Sequence, residues 1–337
     1  MMYPFIFEPL LKEKIWGGKD IRPFKRLLPG NDTIGESWEL SHVEGNYSIV
    51  ANGALAGQSI DDLIETFGAA LLGGKVFQQF GKRFPLLIKF IDAQDNLSIQ
   101  VHPGDELAQK RHHSFGKTEM WYVIKAAHGA ALYSGFSQQI DAGEYVRRVA
   151  DNSFMDVLQR YEVTAGDVFF LPAGRVHAIG SGCFIAEIQQ TSNITYRIYD
   201  YDRRDARGNA RELHVEQAKD AIDYTVYPDC RTTCEPAENS PVQLVQCKYF
   251  TTSLLSVNKT VKRDFATLDS FVIYILTEGR ATIRDDGGNE LTVCQGQTVL
   301  LPAAVQWLEI IPSPRAKLLE TYVGNCGNQD SRFGIQD

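Results

Sequence analysis

The feature that most constrains this chain is a repeat. The stretch VTAGDVFFLPAGRVHAI, which begins at Val163, returns in outline as VCQGQTVLLPAAVQWLEI from Val293. Gly166 aligns with Gly296 and Pro172 with Pro302, both at an offset of 130. Each copy reads as a Gly turn, four strand residues that are apolar but for Thr298, and then Pro-Ala. A β-unit written twice predicts two like units side by side. The copies differ in their polar residues. Asp167 and His177 in the first are replaced by Gln297 and Trp307 in the second, so polar chemistry is expected in the first copy alone.

The rest of the chain agrees with a mainly β fold. Short segments rich in Val, Ile, Phe, Tyr and Thr (FPLLIKFIDA, TEMWYVIKA, CFIAEIQQ, SFVIYILTEG) are separated by Gly, Pro, Asn and Asp. Such punctuation predicts β-sandwich or barrel units. Helical signals form islands in the first part. Ser59 with Asp62 three residues on makes an N-terminal cap, and Ile60, Leu63, Ile64, Phe67 and Leu71 follow helical spacing. Helical insertions are expected at about 57–82 and 137–160, with a short helix over 214–223. The polar, Pro-rich stretch PDCRTTCEPAENSPV is the best linker candidate. The expected division is a catalytic unit over 1–235 and a degenerate unit over 236–337.

Several function classes are excluded early. No apolar run of about 18 residues is present, so no membrane span is expected. The opening MMYPFIFEPLLKEK holds an apolar patch too short for a signal peptide, which points to the cytoplasm. The net charge of −8 argues against nucleic acid as a partner while leaving room for one local basic pocket. Six cysteines without a CxxC pair read as reduced thiols, and Cys230 with Cys234 is weak zinc evidence. GAALLGGKV around Lys75 lacks P-loop spacing, and no GxSxG or strand-borne GxGxxG occurs.

The chemistry gathers in four segments. In LSIQVH, strand alternation puts Ser98, Gln100 and His102 on one face and Leu97, Ile99 and Val101 on the other. In KTEMWY, Lys117, Glu119 and Trp121 share a face. A cation and a carboxylate on an otherwise apolar strand are costly to bury unpaired, and a salt bridge or a metal relieves that cost. His177 lies just beyond a buried strand and its turn. Two His and one carboxylate form a typical catalytic zinc set, with Gln100 as a fourth ligand or a neighbour of the set. In the fourth segment Glu187 and Gln189 share a face, as do Thr195, Arg197 and Tyr199. Arg197 sits among apolar and aromatic residues and needs an anion, either Glu187 or a substrate. The following loop carries Arg203, Arg204, Arg207 and Arg211 among Asp200, Asp202 and Asp205. It reads either as a solvated, charge-mixed loop or as a phosphate clamp.

Together LSIQVHPGDELA, GKTEMWYVI, GDVFFLPAGRVHAI and EIQQTSNITYRIYDYDR resemble the signature blocks of type I mannose-6-phosphate isomerases (phosphomannose isomerases). EKIWGGKDI and GESWELS also resemble family blocks. The similarity runs from about residue 3 to 215, and more loosely to the end, and the length is closest to the short bacterial form. The resemblance implies a double-cupin fold, one zinc ion per chain, with Mn²⁺ or Co²⁺ as substitutes, and aldose–ketose isomerisation of a hexose 6-phosphate. It places the metal ligands on Gln100, His102, Glu119 and His177 and the catalytic arginine on Arg197. Ser98 and Lys117 match family active-site positions, and Lys117-Thr118-Glu119 stands where longer relatives carry Lys-Pro-Glu. On this reading Lys117 joins Arg197 as a catalytic residue, and Ser98, Glu187, Arg203 and Arg211 contact substrate. The base that moves the proton is Lys117, Glu187 or a hydroxide on the metal. The partner is a sugar phosphate, with no nucleic acid or membrane, and the chain is a monomer or weak homodimer. Two competing classes are a metal-dependent cupin oxygenase and a non-catalytic sugar-binding or regulatory cupin. Gln100 in place of a first His, and Glu119 far beyond His102, disfavour the oxygenase.

Overall fold

Strand alternation explains how this chain builds walls with two usable faces. A computed structural model describes residues 2–324 apart from 31, 32, 206 and 236. Cys326 therefore lies outside the described residues. The first unit pairs a seven-stranded sheet with a five-stranded one. The larger sheet runs in the order Arg231–Thr232, Val168–Leu171, Glu119–Ala126, Cys183–Gln190, Leu86–Ala93, Leu10–Gly18 and Ile34–Leu40. The smaller runs Leu158–Glu162, Ala131–Phe136, His177–Ile179, Ile99–Val101 and Tyr196–Tyr199. Trp121, Val123, Phe169, Leu171, Ile179 and Ile185 fill the space between them. The outer face of the smaller sheet presents Ile99, Val101, Tyr196 and Ile198, which pack with residues of the helices Ala142–Ala150 and Val215–Ala221.

The second unit is a single eight-stranded sheet that closes on its own core. Its two long strands, Val272–Asp285 and Trp307–Tyr322, pair along most of their length. The pairing shifts register around Gly279, which has φ +79° and would place a Cβ only 2.1 Å from the Arg315 carbonyl oxygen. Glycine there lets the strand bend between the two faces of the unit.

The repeat appears as matched structure. Val168–Leu171 and Thr298–Leu301 occupy equivalent strands, and His177 and Trp307 open the next strand in each copy. Gly166 and Gly296 both take positive φ, +97° and +83°. The two units meet through an apolar layer that includes Met120, Tyr122, Phe184 and Ile188 from the first and Phe271, Ile273, Leu300 and Leu319 from the second. The chain also stitches them together. Phe5–Ile6 pairs with Thr298–Leu301 on the second unit's sheet. Lys25, buried between the units, donates from Nζ to Glu39 and to the Gly296 carbonyl, both at 2.6 Å.

The helical insertions follow the expected chemistry with two changes. Ser59 and Asp62 form a reciprocal capping box on Ile60–Phe67, but Gly68 ends that helix and a separate turn, Ala69–Leu72, follows. Over 137–160 only Ala142–Ala150 is α-helix. Phe154–Val157 is a 3₁₀ turn, and Leu158–Glu162 returns as a strand because Leu158 and Arg160 pair with Phe136 and Tyr133.

Candidate metal centre

The interior face of the small sheet carries a row of register partners, Ser134, His177, Gln100 and Arg197, from four adjacent strands. Glu119 opens the facing strand of the large sheet. His102, Glu119 and His177 each offer a ligand atom, and these atoms lie within 4.8 Å of one another. All three are at most 1% exposed. Among the described residues this is the one group of three or more His, Cys, Asp or Glu so placed. Cys230 and Cys234 do not form a second.

The backbone fixes both imidazoles. His102 Nδ1 donates to the Ile194 carbonyl at 2.9 Å, and His177 Nδ1 to the Arg175 carbonyl at 2.8 Å. Each ring therefore turns its Nε2 lone pair inward. His102 Nε2 lies 3.5 Å from Glu119 Oε2, and His177 Nε2 lies 3.4 Å from Glu119 Oε1. The Gln100 amide approaches His177 Nε2 at 3.3 Å. A flip of that amide presents its oxygen instead.

Electrostatics prepare these donors for a cation. Burial, then the Lys117 charge, push His177 down to about 3 and hold His102 well below its ordinary value, so both rings stay neutral. Burial, then the Glu187 charge, raise Glu119 to about 7, against the pull of Lys117. Glu119 Oε1 is buried with no hydrogen-bond partner. The Lys117 ammonium stands among the donors, 2.6 Å from Glu119 Oε2 and 2.9 Å from His102 Nε2. A cation is thus already accommodated between imidazole and carboxylate, and the orphaned Oε1 offers a further donor. Two neutral imidazoles, a carboxylate and an amide suit a divalent metal ion.

Glu187 lies one register step deeper. It accepts from Lys89 at 3.0 Å and from the Trp121 indole at 2.9 Å, and Lys117 lies 4.0 Å away. Burial alone would raise this carboxyl, but Lys89 and Lys117 outweigh it and hold it well below the usual range. Glu187 therefore neutralises Lys89 and does not serve as the anion for Arg197. Arg197 instead donates to the Glu212 carbonyl at 2.8 Å and keeps a buried Nε without a partner. Gln100 and Arg197 retain partial exposure and mark the open side of the group. Ser98 is buried two residues before Gln100.

The arginine loop is neither fully solvated nor free. Arg203 and Arg211 both pair with Asp200, which is 5% exposed, and Arg203 also bonds the Asn96 carbonyl. Arg204 turns back to the Gly208 carbonyl. Sequence reasoning missed Lys89, although a lone cation in FPLLIKFIDA carries the same signal that singled out Lys117 and Arg197. His112 ends the helix Asp105–His112 and bonds the Tyr196 hydroxyl at 2.8 Å.

Comparison with known proteins decides the family. The chain is 33% identical over 330 residues to the mannose-6-phosphate isomerase of Streptococcus mutans, covering 93% of this chain and 98% of that one. The chain belongs to the type I phosphomannose isomerase family. Residues 5–122 match the model for the catalytic domain of phosphomannose isomerase type I. The chain is also 38% identical over 250 residues to mannose-6-phosphate isomerase ManA of Bacillus subtilis, covering 73% of this chain and 77% of that protein. The crystal structure of the Bacillus subtilis mannose 6-phosphate isomerase superposes with a TM-score of 0.85 at 30% identity, covering 95% and 99% of the two chains. The two units are accordingly the two cupin barrels of a type I phosphomannose isomerase.

Proposed function

We infer that this chain interconverts mannose 6-phosphate and fructose 6-phosphate through a cis-enediol. The observation that carries this reading is the convergence of His102, Glu119 and His177, with Gln100 alongside, in the first barrel of a type I phosphomannose isomerase chain. We propose Gln100, His102, Glu119 and His177 as the ligands and Zn²⁺ as the ion, one per chain. Bound there, a divalent ion supplies Lewis-acid polarisation of the sugar carbonyl.

The chain's own groups divide the remaining work. Arg197, which keeps partial exposure on the open side, stabilises negative charge as it develops on the substrate oxygens. Glu187 is held ionised between Lys89 and Trp121, which makes it a weak proton acceptor and gives it an electrostatic role beside substrate. We propose that Lys117 Nζ, within 3 Å of two donors, carries the proton between C1 and C2, taking it up as the neutral amine and returning it from the ammonium. Ser98 lies on the same strand face as Gln100 and contributes a hydroxyl to substrate. Arg203 and Arg211 share one carboxylate between two guanidiniums, and that excess of positive charge suits a phosphate. We place the boundary of the catalytic unit near residue 235, between the Arg231–Thr232 strand on one sheet and Pro241–Gln246 on the other.

The test is a coupled assay for fructose 6-phosphate formed from mannose 6-phosphate, with protein loaded with Zn²⁺ and with chelator-treated protein. Turnover that appears only with metal is the expected result. Zn²⁺-loaded protein that leaves mannose 6-phosphate unchanged overturns the reading.

A further inference from the structure

Among the described residues the second barrel has no group of metal donors, yet one of its side chains reaches the segments that hold the first barrel's donors. Asp105 follows His102 by three residues and begins the helix Asp105–His112. Its Oδ1 accepts from the Gly116 N–H at 2.9 Å and from Gln190 Nε2 at 3.0 Å. The same Gln190 accepts the Thr118 N–H through Oε1 at 2.8 Å, and its own N–H donates to the Thr118 carbonyl at 3.1 Å. The Lys117 N–H donates to the Pro103 carbonyl. One carboxylate thus locks the backbone after His102 to the backbone before Glu119. The approach is so close that a Cβ on Gly116 would fall 2.7 Å from the Asp105 nitrogen.

The other oxygen of Asp105 is held from the second barrel. The Tyr249 hydroxyl donates to Asp105 Oδ2 at 2.7 Å. Tyr249 sits on the turn between Pro241–Gln246 and Thr251–Val257, closed by the Cys247 N–H to Phe250 carbonyl bond. Phe250 is fully buried and anchors that turn in the layer between the barrels. The hydroxyl is therefore delivered from a rigid element, and a carboxylate with both oxygens engaged cannot rotate away from Gly116 and Gln190.

We propose that Tyr249 is a positioning residue for the metal centre, acting through Asp105 and Gln190 on the segment that carries Lys117 and Glu119. The proposal rests on the reading of His102, Glu119 and His177 as ligands. Groups that orient metal ligands from behind typically change affinity or activity by 10–100-fold when removed. Tyr249 is further out than Asp105, so roughly tenfold is expected for it, the low end of that range.

The experiment titrates chelator-treated full-length protein with Co²⁺ and follows the visible spectrum of the bound ion, in wild type, Tyr249→Phe, Asp105→Asn and the double variant. Tyr249→Phe keeps the ring and its packing. It is expected to bind Co²⁺ about tenfold more weakly, with a changed visible spectrum and a lower kcat at unchanged KM for mannose 6-phosphate. Asp105→Asn is expected to bind more weakly still, and the double variant no more weakly than Asp105→Asn, because the two residues act in series. A Tyr249→Phe protein with wild-type Co²⁺ affinity, spectrum and kcat overturns the proposal, even if its melting temperature falls. So does a double variant whose losses simply add. Wild-type protein that takes up no Co²⁺ overturns the ligand reading, and the proposal with it.

Discussion

The two barrels present the same wall with different contents. In the first, Leu171 faces Glu119 across the sheet, and in the second Leu301 faces Val272. Gln100 lies opposite His177, and Asp264 opposite Trp307. One polar residue is common to both. Glu187 and Glu320 hold the same register against Trp121 and Tyr274, and each accepts a hydrogen bond from that aromatic neighbour, at 2.9 and 2.7 Å. Glu320 is then saturated by Arg263, which donates to both of its oxygens at 2.8 Å. Glu119 is left with an orphaned oxygen beside two imidazoles. Both barrels therefore bury a carboxylate. The difference is a second carboxylate: the first barrel puts Glu119 where the second has Val272, and leaves one of its oxygens without a hydrogen-bond partner.

The largest effect should separate His177 from its counterpart. His102→Ala and His177→Ala are expected to lose bound metal and activity together, on the order of 10³-fold or more in kcat/KM, since each removes a proposed ligand outright. Trp307→Ala should leave metal content intact, as metal analysis beside a coupled assay will show. Loss of metal in Trp307→Ala would break the comparison. Next, Arg197→Ala is expected to keep metal and fold while kcat falls roughly 10²–10³-fold, the scale for removing one preorganised donor. A near-normal kcat would return Arg197 to a structural role.

Glu320→Gln should act on stability alone. It strands Arg263 without its anion, and a cost of roughly 2–3 kcal/mol is expected, below the range for fully buried pairs because Arg263 is partly exposed. Urea denaturation should register this loss while kcat stays unchanged. The smallest effect belongs to the arginine loop. Arg203→Ala and Arg211→Ala are each expected to raise KM for phosphorylated sugar about tenfold, roughly what one lost charge-assisted contact costs. If KM is unchanged in both, the loop is only a brace for Asp200.

Much of this was legible before any coordinates. Alternation alone put Ser98, Gln100 and His102 on one face and Lys117, Glu119 and Trp121 on another, because each strand buries one face in apolar contacts. The offset of 130 located equivalent strands to the residue. What stayed hidden had no local signal. DELAQKRH is polar all round and buries only Ala108, so no apolar period marks it as a helix. Its first residue is held from Gly116, Gln190 and Tyr249, partners far away in sequence. The pairing of Arg203 and Arg211 with Asp200 was likewise invisible, since composition gives the charges of a loop and not their partners. Lys89 carries the same local signal as Lys117, a lone cation in an apolar strand segment.

The pairing of Phe5–Ile6 with Thr298–Leu301 has a cost in time. During synthesis the earlier segment leaves the ribosome nearly three hundred residues before its partner. At the usual pace of translation it must wait roughly 15–60 s for a sheet to join. Over the last part of that interval, after Arg231–Thr232 has been made, the first barrel shows solvent the apolar side that Phe271 and Leu319 will later cover. The newborn chain is thus most open to aggregation through that layer once the strands of its first barrel are made and before those of its second follow.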